Sequence, residues 1–136
     1  MTDEPIHRGG CLCGAVRYQA RGEPVGVSHC HCQSCRRATG GAVATWAGFP
    51  KDRVEVIAGE IARYASSPGV ERGFCGTCGS PLSYQGAAFG TDIYLTIGSF
   101  DEPGALPPTS HAFTEERIPW LHVDENLTPF LQSPES

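Results

Sequence analysis

The chain has no apolar run approaching the length needed to cross a bilayer, and its first ten residues, MTDEPIHRGG, carry neither the basic nor the apolar region of a secretory leader. These absences argue against a helical membrane protein and make a cytoplasmic location the expectation. Basic charge is scarce too: ten lysines and arginines stand against fifteen aspartates and glutamates, for a formal charge of −5. Without a basic stripe to neutralise phosphates, neither nucleic acid nor an anionic membrane surface is expected as a partner. Internal repeats, low-complexity tracts and linkers are also missing, so the 136 residues are expected to form a single domain over 1–136.

What is present in quantity is turn chemistry. Seventeen glycines and eleven prolines favour many short strands and tight turns over long helices, which sets the expected fold class as mostly β. Residues 9–20, GGCLCGAVRYQA, alternate well enough to predict a strand with Cys11 and Cys13 on one face. Val25 and Val27 predict a second strand, AVATWAGF and RVEVIAG two more, and IYLTI a core strand with Ile93, Leu95 and Ile97 inward. CQSCRRATG reads as a short helical turn ending near Gly40. The prolines of DEPGALPPTS predict loop, and HAFTEERIPWLHV an edge strand and loop that lays Phe113 and Trp120 over the core. His7 and His122 are expected in solvent, Trp46 in the core, and the tail 125–136 is expected to fray.

Seven cysteines in a reducing compartment read as metal ligands or reactive groups, since an odd number cannot pair fully within one chain. They fall into three short clusters: Cys11-x-Cys13, Cys30-x-Cys32-x-x-Cys35 and Cys75-x-x-Cys78. Thiols at i and i+2 of a strand share a face, and a Cys-x-x-Cys turn flanked by Gly76 and Gly79 wraps a metal by another route. A structural zinc wants four ligands and no open position. The two pairs therefore suggest one closed site, and the triplet a second ion with one coordination position free. That position would accept water, a substrate or a histidine, with His29, His31 and the distant His111 as candidates. On an extended strand His29 and His31 would point away from Cys30 and Cys32, which favours supporting or core roles for them. Four thiolates also suit iron, so a rubredoxin-like site is a further reading.

Three thiolates and a divalent ion carry a net charge of −1, which disfavours peptidase-like hydrolysis and favours sulfur chemistry. Coordination deprotonates a thiol, so the open position could hold an incoming thiolate at neutral pH. Arg36 and Arg37 follow the triplet and could dock a carboxylate in a bidentate pair. Favouring the C-terminal end of the short helix is the alternative role for either.

With the clusters placed in order, GGCLCGAVRY, HCHCQSCRRATG and FCGTCGSPL together resemble the family of glutathione-dependent formaldehyde-activating enzymes, which also includes centromere protein V. The later stretches GSFDEPGALPP, HAF and PWL are similar to that family's C-terminal pattern, so the resemblance runs over about residues 7–123. It implies several small antiparallel sheets in a tent-like arrangement around a structural four-cysteine zinc. Carried over residue by residue, it makes Cys11, Cys13, Cys75 and Cys78 the structural ligands and Cys30, Cys32 and Cys35 the catalytic ones. The implied activity is carbon-sulfur bond formation and cleavage on a small-molecule thiol or thiol adduct, such as S-hydroxymethylglutathione; the position of Arg36 beside the triplet makes it the expected group to bind the substrate's carboxylate. A non-catalytic zinc-binding interaction module is the alternative, and it would need a basic tail or an exposed apolar patch.

Overall fold

Alternation of apolar and small residues over short stretches, with glycine or proline between them, gives strands of two to seven residues rather than long helices. The computed structural model describes residues 4–131. Their order is β1 (Ile6–Gly10), β2 (Arg17–Arg21), β3 (Gly26–Cys30), α1 (Gln33–Thr39), β4 (Ala44–Pro50), β5 (Val54–Ala58), β6 (Ile61–Ser67), β7 (Val70–Cys75), β8 (Pro81–Gly86), β9 (Asp92–Thr96), β10 (Ser110–Ala112) and β11 (Thr128–Pro129). Several connections contain a single 3-10 turn. No helix among the described residues is long and apolar enough to cross a membrane.

The strands form two sheets. β1, β2 and β5 make a three-stranded sheet with β2 in the middle, and the others make an eight-stranded sheet in the order β11-β10-β3-β4-β9-β8-β7-β6. The main core packs Val16, Tyr18 and Ala20 of the β2 region against Val27, Ala47, Phe49, Leu82, Ile93 and Leu95 of the large sheet, closed by Phe100 and Leu106. Period-2 geometry sends the intervening residues of the large sheet to its other face. There Ala44, Trp46 and Tyr94 form a second cluster with Cys30, Cys35 and Ala112. β4 is thus buried on both faces, which explains why its sequence is nearly continuous in apolar and small residues. Arg17 of β2 makes a forked ion pair to Asp101, in the connection after β9, at 3.0 and 2.5 Å.

The mostly-β class matches the expectation, but several local readings need correction. Residues 9–20 do not form one strand: β1 stops at Gly10 and β2 starts at Arg17. Between them Cys11 N–H donates to the Val16 carbonyl at 3.1 Å and Gly14 N–H to the Cys11 carbonyl at 3.2 Å, closing a hairpin loop. Gly14 turns it with φ of +80°, a conformation that costs other residues about 1–2 kcal/mol. Cys11 and Cys13 therefore meet in a loop, not on a strand face. His111 and Ala112 lie in β10, which is interior, parallel to both β3 and β11. Parallel pairing has no local turn signature, so no sequence signal marks it.

Trp120 is 70 % exposed and does not cover the core, whereas Trp46 is buried and Phe113 half-buried beside the second cluster. His7 is not solvated; its ring packs between Phe49 and Phe100 at 5.8 and 6.4 Å. His122 is exposed, with Nδ1 2.6 Å from Glu125 Oε1. Strand β6, along IARYASS, has no counterpart among the sequence expectations. Of the tail expected to fray, Phe130 N–H donates to the His111 carbonyl at 2.9 Å, and residues 132–136 lie outside the described residues.

Candidate metal centres

Cys11 and Cys13 hang on the β1–β2 loop, while Cys75 ends β7 and Cys78 sits in the turn that leads into β8. Their four sulfurs all lie within 4.8 Å of one another. Cys11 Sγ and Cys13 Sγ are 3.6 Å apart, and Cys13 Sγ and Cys75 Sγ 3.8 Å. Backbone donors aim at these sulfurs: Val16 N–H at Cys11 Sγ over 3.2 Å, and both Thr77 and Cys78 N–H at Cys75 Sγ over 3.4 Å. The Val16 N–H lowers the pKa of Cys11, and the hydroxyl and backbone of Ser80 lower that of Cys78 to about 5. Ser80 Oγ lies 3.1 Å from Cys78 Sγ and also accepts from Leu12 N–H at 3.0 Å, tying the two loops together beside the sulfurs.

The second set lies at the β3–α1 junction. Cys30 is the last residue of β3, Cys32 caps α1, and Cys35 is the helix's buried residue. Cys30 Sγ is 3.5 Å from Cys32 Sγ and 3.4 Å from Cys35 Sγ. Cys32 Sγ takes the place of a capping oxygen by accepting from Cys35 N–H at 3.2 Å. Hydrogen bonding from Cys30 and Cys32, assisted by Arg72, lowers the pKa of Cys35 to about 3, while Cys32 and Cys35 push that of Cys30 up. Three thiols this close cannot all ionise without a compensating cation.

Sulfurs at about 2.3 Å from a tetrahedral ion stand about 3.8 Å apart. Separations of 3.4 to 3.8 Å within both sets fit a shared ion of that size and are far too long for disulfides. Both cysteine sets could therefore hold a metal ion.

The histidines turn elsewhere. His29 places Nδ1 2.7 Å from Thr45 Oγ1 and Nε2 2.6 Å from Asp124 Oδ2. His111 Nε2–H donates to the Asp124 carbonyl at 2.7 Å, and its Nδ1 lies 2.9 Å from His31 Nε2. Burial holds the pKa of His31 down to about 4, so the neutral ring donates Nε2–H to His111 Nδ1. No imidazole nitrogen joins the triplet within 4.8 Å among the described residues, which leaves the triplet without a histidine cap.

Side chains from four strands of the large sheet face the triplet instead. Gly48 of β4, Tyr94 of β9, Tyr84 of β8 and Arg72 of β7 stand directly opposite one another, forming a row across the large sheet. Trp46, Tyr84, Phe89 and Tyr94 form a chain of ring contacts with centroids 5.3 to 6.0 Å apart. The Arg72 guanidinium lies over Tyr84, 5.0 Å from the ring centroid, with both terminal nitrogens 3.9 Å from Cys35 Sγ. Sequence reasoning missed Arg72, because only the register of the β7–β8 hairpin puts it on the triplet's face. Arg36 lies on α1, half-buried, with Nε donating to the His31 carbonyl at 3.3 Å; Arg37 is exposed.

The sequence pattern described as glutathione-dependent formaldehyde-activating enzyme matches residues 6–116. An uncharacterized lyase of Schizosaccharomyces pombe is 34 % identical over 80 residues, 59 % of this chain and 58 % of the relative's own length. A Halomonas elongata protein, assigned by name to the glutathione-dependent formaldehyde-activating enzymes, is 26 % identical over 127 residues, 85 % of this chain and 80 % of its own. The crystal structure of a Rhodobacter sphaeroides protein superposes with a TM-score of 0.59 at 19 % identity, over 90 % of this chain and 97 % of that one, a likeness of fold. With the family pattern running through both cysteine sets and most of the β scaffold, the chain belongs to the glutathione-dependent formaldehyde-activating enzyme family.

Proposed function

We propose that the protein is a zinc-dependent carbon-sulfur lyase or synthase acting on aldehyde adducts of a small thiol, S-hydroxymethylglutathione among them. The observation that carries this reading is the triplet. Three thiols from one short segment converge without a fourth protein ligand among the described residues, beside half-exposed side chains. Held by Cys30, Cys32 and Cys35, zinc would supply a Lewis acid that stabilises the substrate's sulfur as a thiolate. Cys11, Cys13, Cys75 and Cys78 would hold a structural ion.

The chain's own residues bind and orient. Among the described residues Arg36 hydrogen-bonds through Nε, to the backbone, which leaves its terminal nitrogens to pair with a substrate carboxylate. The Trp46, Tyr84, Phe89 and Tyr94 rings line one side of the site with apolar surface. In cleavage, the carbon-sulfur electron pair returns to sulfur, the hydroxymethyl group becomes the aldehyde, and the hydroxyl proton leaves to solvent. Synthesis reverses each of these changes.

The names of the two relatives, one a lyase and one placed among the formaldehyde-activating enzymes, support this chemistry. Exchange spectroscopy on glutathione and formaldehyde tests it. Zinc-loaded protein is expected to accelerate interconversion with S-hydroxymethylglutathione, and the metal-free protein and Cys32→Ser are expected not to. Equal rates in all three samples would remove the catalytic reading and leave a non-catalytic zinc-binding module.

A further inference from the structure

We infer that Arg72 sets the triplet's preference for an anionic incoming ligand over a neutral one; this rests on reading the triplet as an exchangeable thiol-binding site. Three observations converge on that residue. Its guanidinium lies over the Tyr84 ring, 5.0 Å from the centroid, and the Arg72–Tyr84 pair sits directly opposed in the β7–β8 ladder. Both terminal nitrogens reach Cys35 Sγ at 3.9 Å. Among the described residues it has no carboxylate partner, so its charge is not already neutralised.

Charge arithmetic shows what such a cation does. Three thiolates around a divalent ion carry −1, and an arriving thiolate makes the group −2. Beside a wall of Trp46, Phe89 and Tyr94, that added charge is poorly solvated and costly. A guanidinium fixed at the sulfur offsets one charge, which favours a thiolate and leaves a neutral ligand indifferent. Lysine would keep the charge but lose the fork and the ring stacking. Arg36 differs in kind, since its Nε is committed to the His31 carbonyl rather than to sulfur. A purely structural Arg72 would stabilise the hairpin without affecting which ligand the triplet prefers.

The test uses the full chain loaded with cobalt(II), whose sulfur-to-metal absorption reports a change of ligand. Wild type, Arg72→Gln and Arg72→Lys are titrated with 2-mercaptoethanol and with imidazole at one pH and ionic strength, and melting temperatures are recorded alongside. Arg72→Gln is expected to weaken 2-mercaptoethanol binding by about tenfold to a hundredfold, the effect of one unit charge a few ångströms away at partial screening. Imidazole binding is expected to stay unchanged, with Arg72→Lys intermediate for the thiol. Tyr84→Leu, which frees the guanidinium from its stack, is expected to shift the preference in the same direction. If Arg72→Gln changes both ligands equally, or neither, the assignment is overturned while the thiol-binding reading stands. If wild type takes up imidazole but no thiol, or responds to neither, the thiol-binding reading fails and takes the preference with it.

Discussion

Cys13 Sγ lies 3.8 Å from Cys75 Sγ, although 62 residues separate them in the chain. The four-cysteine set thus joins the β1–β2 loop to the β7–β8 turn, whereas the triplet closes within residues 30–35 of one segment. Binding a structural zinc is worth about 10 to 16 kcal/mol in zinc-finger peptides, against about 5 to 15 kcal/mol for the stability of a whole domain. Cys75→Ser is therefore expected to give largely unfolded protein with little zinc. Cys32→Ser is expected to remain folded, with one ion fewer. Circular dichroism, melting curves and zinc content on both variants decide this, and equal unfolding in the two would make the triplet structural.

Gly48 faces Tyr94 across the β4–β9 ladder, and a Cβ there would come within 2.4 Å of the Tyr94 ring. Gly48→Ala must push the ring out of its place on the triplet's face, at a cost of about 1–3 kcal/mol. Gly98→Ala meets nothing within 4 Å and serves as the control. Thermal melts should show a clear loss for the first and none for the second.

The two tryptophans should behave oppositely. Trp46 is 7 % exposed and Trp120 70 %. Trp46→Ala is expected to cost about 3–5 kcal/mol, as deletions of large buried rings do. Trp120→Ala is expected to fall within about 0.5 kcal/mol of wild type. Urea unfolding measures both, and a large loss at Trp120 would mean that the loop carrying it covers more than the structure shows.

Stability should depend on the Arg17–Asp101 pair in a pH-sensitive way. The Arg17 guanidinium holds the Asp101 carboxyl below its usual range. A carboxylate with a depressed folded-state pKa stabilises fully above its unfolded value of about 4, and the gain is lost as pH falls through the folded value. The stability difference between wild type and Asp101→Asn is thus expected to be greatest near neutrality and to vanish in acid. Both groups are partly exposed, so the difference is small and shrinks with added salt. Urea titrations across pH measure it, and a difference independent of pH would show that Asp101 acts through backbone geometry instead.

The grouping of the candidate metal ligands was legible in the sequence because the Cys-x-Cys and Cys-x-x-Cys spacings are local. The short spacings already place sulfurs near each other, and the seven thiols gather in the two groups that the spacing suggests. Strand alternation likewise marked Ile93 and Leu95 as core, and Gly40 as the end of the helix. The loop at Cys11–Val16 was misread because its residues alternate like a strand while Gly14 makes it turn.

The chain by itself thus determined which atoms are available to hold metal, since that depends on residues a few positions apart. Tertiary structure alone decided what surrounds those atoms. Arg72 reaches Cys35 only because β7, β8 and β9 pair in one register, and a shift of one residue would send its side chain to the opposite face. The parallel pairing of β10 with β3 brings His111 beside His29 and His31, committing those rings to one another and to Asp124 instead of to the triplet. The His31–His111 and His29–Asp124 contacts bridge 80 or more residues, and no local periodicity encodes them.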